Sequence, residues 1–442
     1  MRSKPILRLA VFAALAVVCG LCGLTAYSTV TWLNRNASLW DLWEGGGQSA
    51  QVNETLIFDV YAALEITSDF GDVQVAAADV DGIEVELVKT AWAQTVEEAE
   101  ARAGAITVRV TENADRLTLV YEKPDEINLG FHTGADSVDF IVRVPAETSV
   151  DLKTSFGEVR VSGLTGNAVV ESNFGNLEVE DLTGALVALS SNASIHIARI
   201  EAGEGEVEVS TSFGEITLED VTGANVSVRS RNGPITIGEV TARETVLVEN
   251  QFGNIEITDV RAVALEIDND NGQIRVEGGQ LGDRVTAANR FGGVHLIGVA
   301  APAYTLSTSN GDVTVEGASG SLDLETSFGD IVVLNAVDVS LDIQGSNGAI
   351  EITGTLAPTE HTIRNTFGDV TLTIPEDSAF SVVLETEFGD IRSEIPLSLT
   401  GTLESESQND RWEAEMNGGG PLLDAKTSNG DVVIHVLTGT TP

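Results

Sequence analysis

Apolar and polar residues alternate with a period of two through most of the chain after residue 150. In Val207-Glu-Val-Ser-Thr211 and Leu322-Asp-Leu-Glu-Thr326 every second residue is aliphatic or threonine. Successive side chains of a β-strand point to opposite faces, so this pattern predicts strands with one buried and one solvated face. The inward set is Val, Leu, Ile and Thr, and the outward set is rich in Glu and Asp.

A short motif recurs between these strands at a nearly constant interval. It reads Thr154-Ser-Phe-Gly-Glu-Val159 in one copy and Thr308-Ser-Asn-Gly-Asp-Val313 in another. Its glycine recurs about every 19 residues from Gly157 to Gly368, with Ala193 in the one missing place. A fixed period near twenty is typical of a solenoid. We therefore predict an all-β fold, a single-stranded β-helix with coils of about 19 residues over 150–442, or about fifteen coils stacked at the strand spacing.

The centre of the motif predicts a corner in each coil, because Gly, and to a lesser extent Asn, tolerates positive φ. The predicted corner residues are Phe156, Gly157, Phe174, Gly175, Phe213, Gly214, Asn232, Gly233, Phe252, Gly253, Asn310, Gly311, Phe328, Gly329, Phe367 and Gly368. A second corner is predicted at Leu164-Thr-Gly166, Leu182-Thr-Gly184 and Val221-Thr-Gly223.

The residue before the corner glycine alternates between two types. Asn192, Asn232, Asn271, Asn310 and Asn347 interleave with Phe213, Phe252, Phe291, Phe328 and Phe367. One explanation is packing, in which a small residue on the next coil gives each ring room and places the rings about 9.6 Å apart. The other explanation is an aromatic strip that stacks against sugars.

Residues 51–149 are less repetitive and predict a separate strand-rich module. Leu64 to Val73 contains a first copy of the corner motif, and Thr95-Val-Glu-Glu98 is a capping box that predicts one helix over 95–105. Such a module can cover the open sheet edge of a solenoid. Near the other end, residues 404–420 form an irregular insertion that is either a cap or a binding loop.

The N-terminal segment predicts a membrane anchor. Residues 1–8 are basic and read as a cytoplasmic tail, and residues 9–33 are uncharged and long enough to cross a bilayer. Trp32, Trp40 and Trp43 suit the outer interface of the membrane, and residues 34–50 suit a linker. The ectodomain would then be extracellular or periplasmic. The alternative is a secretory signal cleaved near Ala26-Tyr27-Ser28, which would give a secreted protein.

Composition and candidate chemistry restrict the function. The formal net charge is −44, from 24 Lys plus Arg and 68 Asp plus Glu, which argues against nucleic acid and anionic membrane surfaces as partners. The two cysteines, Cys19 and Cys22, lie in the apolar N-terminal run, and the five histidines are far apart. We therefore predict no catalytic residues, no metal and no cofactor.

Acidic residues after the corner glycine are the one candidate for calcium. Asp312 and Asp330 are predicted on adjacent coils, and so are Asp369 and Asp390. Stacked carboxylates repel each other, and calcium could relieve that repulsion. Pro234, Gln273, Gly293 and Ala349 interrupt the column. We therefore interpret the acids after the corner glycine as solvated residues at a turn.

The order of these parts resembles the bacterial putative-adhesin family, domains of unknown function that form exported or membrane-tethered β-helices akin to head-GIN domains. The likeness spans roughly residues 50–440 and rests on Leu64–Val73, the 95–103 helix, Val144-Pro145 and the repeated Thr-Ser-Asn-Gly-Asp-Val form. The resemblance implies that the protein attaches to a surface, and it assigns no catalytic residue to this chain.

We accordingly predict a non-enzymatic, membrane-tethered β-solenoid that acts as an adhesin or an envelope scaffold or sensor. Its partner would be a surface glycan, the cell wall or another envelope protein. The alternatives are a carbohydrate-active β-helix, either a polysaccharide lyase or a hydrolase, and a regulatory accessory protein of an envelope-stress system.

Overall fold

The computed structural model describes residues 47–122, 136–401, 404–406 and 409–438. The chain divides into two compact units. The smaller unit contains the described residues 47–52, 89–106 and 136, and the larger contains 53–88, 107–122 and those from 137 onward. Within the described ranges no helix is long and apolar enough to cross a membrane. The predicted anchor at 9–33 lies outside those ranges, and so do the predicted interface residues Trp32, Trp40 and Trp43.

Thirty-five strands and one helix make up the described chain. The elements before residue 149 are β1 (Gln48–Phe58), β2 (Ala63–Phe70), β3 (Val73–Ala77), β4 (Ile83–Ala93), α1 (Val96–Ala105), β5 (Arg109–Glu112), β6 (Arg116–Tyr121) and β7 (Ser137–Val144). The repeats contain β8 (Ser149–Phe156), β9 (Val159–Ser162), β10 (Ala168–Phe174), β11 (Leu177–Leu182), β12 (Leu186–Asn192), β13 (Ile195–Glu201), β14 (Val207–Phe213), β15 (Ile216–Gly223), β16 (Val226–Asn232), β17 (Ile235–Ala242), β18 (Thr245–Phe252), β19 (Ile255–Asn271), β20 (Ile274–Phe291), β21 (Val294–Ala300), β22 (Ala303–Asn310), β23 (Val313–Glu316), β24 (Ser319–Phe328), β25 (Ile331–Asn347), β26 (Ile350–Leu356), β27 (His361–Arg364) and β28 (Val370–Ile374). The last seven are β29 (Phe380–Phe388), β30 (Ile391–Ser393), β31 (Leu397–Leu399), β32 (Glu404–Glu406), β33 (Asn409–Met416), β34 (Leu422–Asn429) and β35 (Val432–Val436).

The smaller unit contains the predicted helix, which the structure confirms as α1. The hydroxyl of Thr95 accepts a hydrogen bond from the Glu98 backbone N–H at 3.2 Å, as the capping box requires. Ala99 and Ala103 are the buried residues of α1. Near the end of α1, Arg102 forms an ion pair with Asp136 at 2.6 Å. The helix is therefore fixed at both ends by polar contacts and packs through its alanines.

The larger unit is a β-solenoid of about 11 turns whose ladders are parallel from β8 to β28. Each strand pairs with the equivalent strand of the turns before and after it, so that Val170 lies between Leu152 and Ala188. All three of these side chains are fully buried. The predicted inward aliphatic set thus forms a continuous core, because side chains of the same register position stack on one another through the solenoid.

The corner glycines approach the neighbouring turn too closely for any side chain. A Cβ built on Gly253, which has φ of 137°, would lie 2.2 Å from the carbonyl oxygen of Gly233. The same contact recurs at nearly every corner of the stack. The glycine of the motif is therefore required by the distance between successive turns as well as by its backbone conformation.

The order of turns in space differs from the order in the chain at both ends of the solenoid. At one end β2 lies between β6 and β8, and β3 lies between β7 and β9. At the other end β34 lies between β27 and β29, and β35 lies between β28 and β30. The first and last corner motifs of the described chain are thus each placed one turn in from an end. A turn made by intervening residues closes each end.

Antiparallel strands cover the outer edges of these terminal turns. The strand β5 pairs with β6, and β33 pairs with β29 along seven residues, with Trp412 opposite Leu384. Both β31 and β32 then pair with β33. The insertion predicted at 404–420 therefore supplies an edge strand, which removes unpaired backbone groups from the end of the solenoid. The ladder that follows chain order stops after β28, because β34 and β35 are inserted before β29 and β30. About 11 turns are regular in this sense, fewer than the predicted fifteen coils.

The second bend begins one residue earlier than the sequence predicted. Asp181 and Asp220, which immediately precede Leu182 and Val221, have φ of 54° and 53°. This left-handed conformation is several-fold enriched in Asn and Asp. Glu239 occupies the same position with φ of 53°, although glutamate is less suited to it.

Replacement of a corner glycine should disrupt the stack locally. Gly253→Ala is expected to lower the free energy of unfolding by about 3 kcal/mol or more, because the new methyl group meets a backbone carbonyl. Gly298→Ala is the matched control, since Gly298 also has positive φ but no atom within 4 Å of its Cβ position. It should cost only about 1–2 kcal/mol. Urea denaturation with hydrogen exchange would measure both. Equal effects would contradict the close-packing argument.

Glu239→Asn should stabilise the solenoid. Asparagine tolerates the left-handed conformation better than glutamate, so we expect a gain of about 0.5–1 kcal/mol in the free energy of unfolding. Thermal denaturation of the two proteins provides the measurement, with Glu219→Asn, one residue before the same bend in the preceding turn, as the control. A gain in the control as large as that at 239 would show that backbone conformation is not the cause.

Candidate functional site

The residues before the corner glycines form one line along an edge of the solenoid, here called the corner strip. Strand register places successive members side by side, for example Phe213 beside Asn232 and Asn232 beside Phe252. In spatial order the corner strip contains Phe70, Phe156, Phe174, Asn192, Phe213, Asn232, Phe252, Asn271, Phe291, Asn310, Phe328, Asn347, Phe367, Asn429 and Phe388.

The rings of the corner strip are largely exposed to solvent. Eight of its phenylalanines have relative exposures between 44 % and 58 %: Phe156, Phe174, Phe213, Phe252, Phe291, Phe328, Phe367 and Phe388. The chain has 14 phenylalanines, so most of them are used in this line. A contiguous exposed apolar surface on a folded protein is typical of an interaction site.

The strand register shows that the alternation of Phe and Asn holds between neighbouring turns, and it also shows where the alternation stops. Phe70, Phe156 and Phe174 lie on consecutive turns, and their rings stack at centroid distances of 4.8 and 4.9 Å with interplanar angles of 7° and 5°. Rings on adjacent turns therefore fit without an asparagine between them. The need for room, which was one explanation for the alternation, does not by itself account for the asparagines in the rest of the corner strip.

The alternation also persists through the turn that is out of chain order. Phe367 pairs with Asn429, and Asn429 pairs with Phe388, so a ring, an amide and a ring follow one another in space. In the chain the order is 367, 388 and 429. The pattern therefore follows the neighbours in the assembled solenoid.

A buried polar ladder supports the corner strip from inside. The residue three positions before the corner glycine is Ser, Thr or Asn in most turns, and its side chain donates to the corner carbonyl of the preceding turn. Thr326 donates to the Gly311 oxygen at 2.9 Å, and Asn365 donates to the Gly348 oxygen at 2.8 Å. The sequence pattern grouped these threonines with the aliphatic core. Their recurrence before Phe-Gly or Asn-Gly was the signal that could have identified them.

The acids after the corner glycine have a structural role. The Oδ1 atom of Asp312 accepts a hydrogen bond from the backbone N–H of Asp330 at 2.9 Å, and Asp330 does the same for Ala349 at 2.7 Å. Each side chain thereby binds the backbone of the next turn. The expected adjacency of Asp369 and Asp390 was wrong, because the turn that carries Asp431 lies between them and bonds to both.

The two columns that flank the corner strip differ in charge. The column before the strip is mainly Ser, Asn, Gln and Thr, and its charged members include Arg231 and an ion pair between Asp270 and Arg290 at 3.0 Å. The column after the glycine is almost uncharged between residues 176 and 293, where its one acid is Glu215. Beyond that point it contains Asp312, Asp330, Asp369, Asp431 and Asp390. Asp72 and Glu158 follow the first two glycines, so the nearly neutral part is the stretch between 176 and 293, on a strongly acidic protein.

Carboxylates elsewhere on the solenoid titrate according to their neighbours. Partial burial raises the pKa of Asp323, and Asp342, opposite it on the next turn, raises that pKa further. The guanidinium of Arg199, 2.6 Å from Asp181, lowers the pKa of the Asp181 carboxyl.

Burial lowers the pKa of His361. Its ring accepts from the Leu341 N–H and lies 2.9 Å from the Ala357 carbonyl, so it is a neutral core residue.

The parts of the chain that the structure describes contain no group of three or more His, Cys, Asp or Glu side chains placed to hold a metal ion. The geometry of the corner strip is thus that of an extended surface: a line of rings and amides on a rigid edge, supported by buried hydrogen bonds. Such an arrangement can make apolar and amide contacts along its length.

These features define a β-solenoid with an exposed aromatic edge. Residues 61–297 and 265–435 match the family model described as Toastrack DUF4097. The chain belongs to this family. No curated protein matches the chain.

Several solved structures are distantly similar to this chain. A putative adhesin from Bacteroides fragilis is 13% identical, with 65% of this chain and 97% of that chain covered and a TM-score of 0.28. A putative cell adhesion protein from Clostridium sporogenes is 5% identical, with coverage of 88% and 100% and a TM-score of 0.17. A putative lipid binding protein from Parabacteroides distasonis is 12% identical, with coverage of 65% and 98% and a TM-score of 0.29.

The pKa shifts of Asp323 and Asp181 predict opposite effects of pH. Because the pKa of Asp323 is raised on folding, its contribution to the free energy of unfolding falls as pH rises through its titration. Asp323→Asn should therefore raise the denaturation midpoint at pH 7, and the gain should shrink toward about pH 3. Asp181→Asn should lower the midpoint at pH 7, with a loss that also shrinks as pH falls. Denaturation midpoints of the two variants measured over this pH range test both expectations. Effects of the same sign at pH 7 would refute the opposite pKa shifts of the two aspartates.

Proposed function

We propose that this chain is a non-enzymatic, adhesin-like binding protein, held at a bacterial cell membrane by residues 9–33, that attaches to its partner through the corner strip. The observation that carries the proposal is the line of eight half-exposed phenylalanine rings on one edge. Exposed rings cost hydrophobic free energy in the isolated protein, and a partner that covers them recovers it.

The construction of the edge supports a binding role. Each ring is carried by a short corner whose glycine is packed against the neighbouring turn. At several of these corners a buried side chain also donates to the glycine carbonyl, as Thr308 does for Gly292 beside Phe291. Rigid placement of contact side chains reduces the entropy lost on binding. The acidic strand faces favour solubility and weaken attachment to anionic surfaces. A repeated edge of this kind suits an extended or repetitive partner surface.

The test uses the purified full chain with glycans, cell-wall fragments and whole cells. The strip variant Phe252→Asn, Phe291→Asn and Phe328→Asn should lose binding while it retains the fold, because asparagine occupies the same corner position in neighbouring turns. The matched control is Val263→Thr, Leu334→Thr and Val337→Thr, which removes exposed apolar side chains away from the strip. The control should bind like the unmodified chain.

Two results would contradict the proposal. Equal binding by the strip variant and the unmodified chain would show that the corner strip is not the contact surface. Release of reducing ends from any polysaccharide, at a rate proportional to protein concentration, would replace the non-enzymatic proposal with the carbohydrate-active alternative.

A further inference from the structure

The spacing of the corner strip leaves a series of gaps that each match one aromatic ring. Rings on alternate turns are about 9.6 Å apart, twice the strand spacing. The stack of Phe70, Phe156 and Phe174 shows that this chain places parallel rings at 4.8 and 4.9 Å. A flat ring inserted over an asparagine would therefore lie at stacking distance from the phenylalanines on both sides.

From this geometry we infer that the partner of the corner strip is a second copy of this chain, packed antiparallel so that each ring of one copy enters a gap of the other. The inference rests on the proposed use of the strip as a binding surface and names its partner. A second copy presents flat rings at the required pitch, and its asparagines supply the spaces that the opposing rings need.

Symmetry selects the antiparallel arrangement. In a closed twofold dimer with parallel strips, every position faces its own counterpart, so phenylalanine would meet phenylalanine and asparagine would face asparagine. With antiparallel strips a twofold axis can pass between adjacent turns, near Phe291, and then every ring faces an amide. The alternating series from Phe174 to Phe388 has thirteen members. With the axis between the turns of Phe291 and Asn310, the twelve members from Asn192 to Phe388 each face a residue of the other type.

Charge favours the same arrangement. Between residues 176 and 293 the column after the corner glycine contains one acid, Glu215, and beyond that it contains Asp312, Asp330, Asp369, Asp431 and Asp390. Antiparallel packing about an axis that crosses the strips places the acidic stretch of each copy against the nearly neutral stretch of the other. Two chains with a formal charge of −44 each repel, and this pairing keeps the closest carboxylates apart.

The area is sufficient for a stable contact. A half-exposed phenylalanine offers about 100 Å² of surface, so the six rings that enter gaps, from Phe213 to Phe388, offer roughly 600 Å² per copy. This is about what each partner contributes at the lower end of the standard range of specific interfaces. The flanking serine, threonine and asparagine side chains would form the polar rim.

The first experiment compares ring removal with gap filling in the purified full chain, using sedimentation equilibrium. The unmodified chain should form a dimer, and Phe252→Asn with Phe291→Asn and Phe328→Asn should weaken it by about tenfold for each ring removed. Asn271→Phe with Asn310→Phe makes the surface more apolar but fills the gaps, and it too should weaken the dimer. Non-specific hydrophobic association would instead increase in that variant.

The second experiment determines the direction of packing with single cysteines in a Cys19→Ser, Cys22→Ser background. Arg290→Cys lies within one turn of its own counterpart in the antiparallel dimer, so a short bismaleimide should link the two copies. Ser428→Cys lies about ten turns from its counterpart and should not be linked. Equal linkage at both positions indicates a parallel dimer and overturns the inference.

The outcomes separate this inference from the proposed function. A monomeric full chain, or a dimer that neither strip variant weakens, overturns the second copy as the partner. If that chain still binds glycans or cells and loses this binding on ring removal, the proposed function stands with a different partner. If ring removal affects neither self-association nor binding, both are wrong.

Discussion

The close approach of successive corner glycines is the constraint on which the rest of the structure depends. With Gly233 and Gly253 in backbone contact, the strands on both sides of the corner are held at ladder distance and in one register. That register stacks the aliphatic side chains into a core, aligns the buried donors with the corner carbonyls, and places the phenylalanines in a line. A side chain at the glycine position would separate the turns and weaken all three features together.

Much of this fold follows from period and chemistry in the sequence. Alternation of apolar and polar residues identifies the strands, the 19-residue interval identifies the solenoid, and Thr95 with Glu98 identifies the helix, because each depends on residues close together in the chain. The alternation of Phe213 with Asn232 was likewise visible from spacing alone. Local patterns specify local geometry, and a repeat extends that geometry along the whole ladder.

The features that the sequence did not predict depend on contacts between distant residues. The placement of β34 between β27 and β29 joins segments separated by some 60 positions, so the neighbour of Asp369 is Asp431 and not Asp390. The continuous stack of Phe156 on Phe70 depends in the same way on a turn contributed from residues 63–77. The hydrogen bond of Thr326 was not predicted because an alternating apolar and polar pattern counts an inward-facing threonine with the aliphatic residues. That of Asn365 was not predicted because its acceptor, the Gly348 carbonyl, lies on the preceding turn.

The exchange of turn order at the C-terminal end of the solenoid has a mechanical consequence. Because β35, the last strand of the described chain, is bonded to β28 on one side and β30 on the other, tension applied at the C-terminal end enters the solenoid through a strand that is held by two ladders. Such a strand must break two rows of hydrogen bonds before it leaves, whereas a strand at a free edge would peel from one. This placement of β35 thus lets the C-terminal end of the repeat array bear load without unravelling turn by turn.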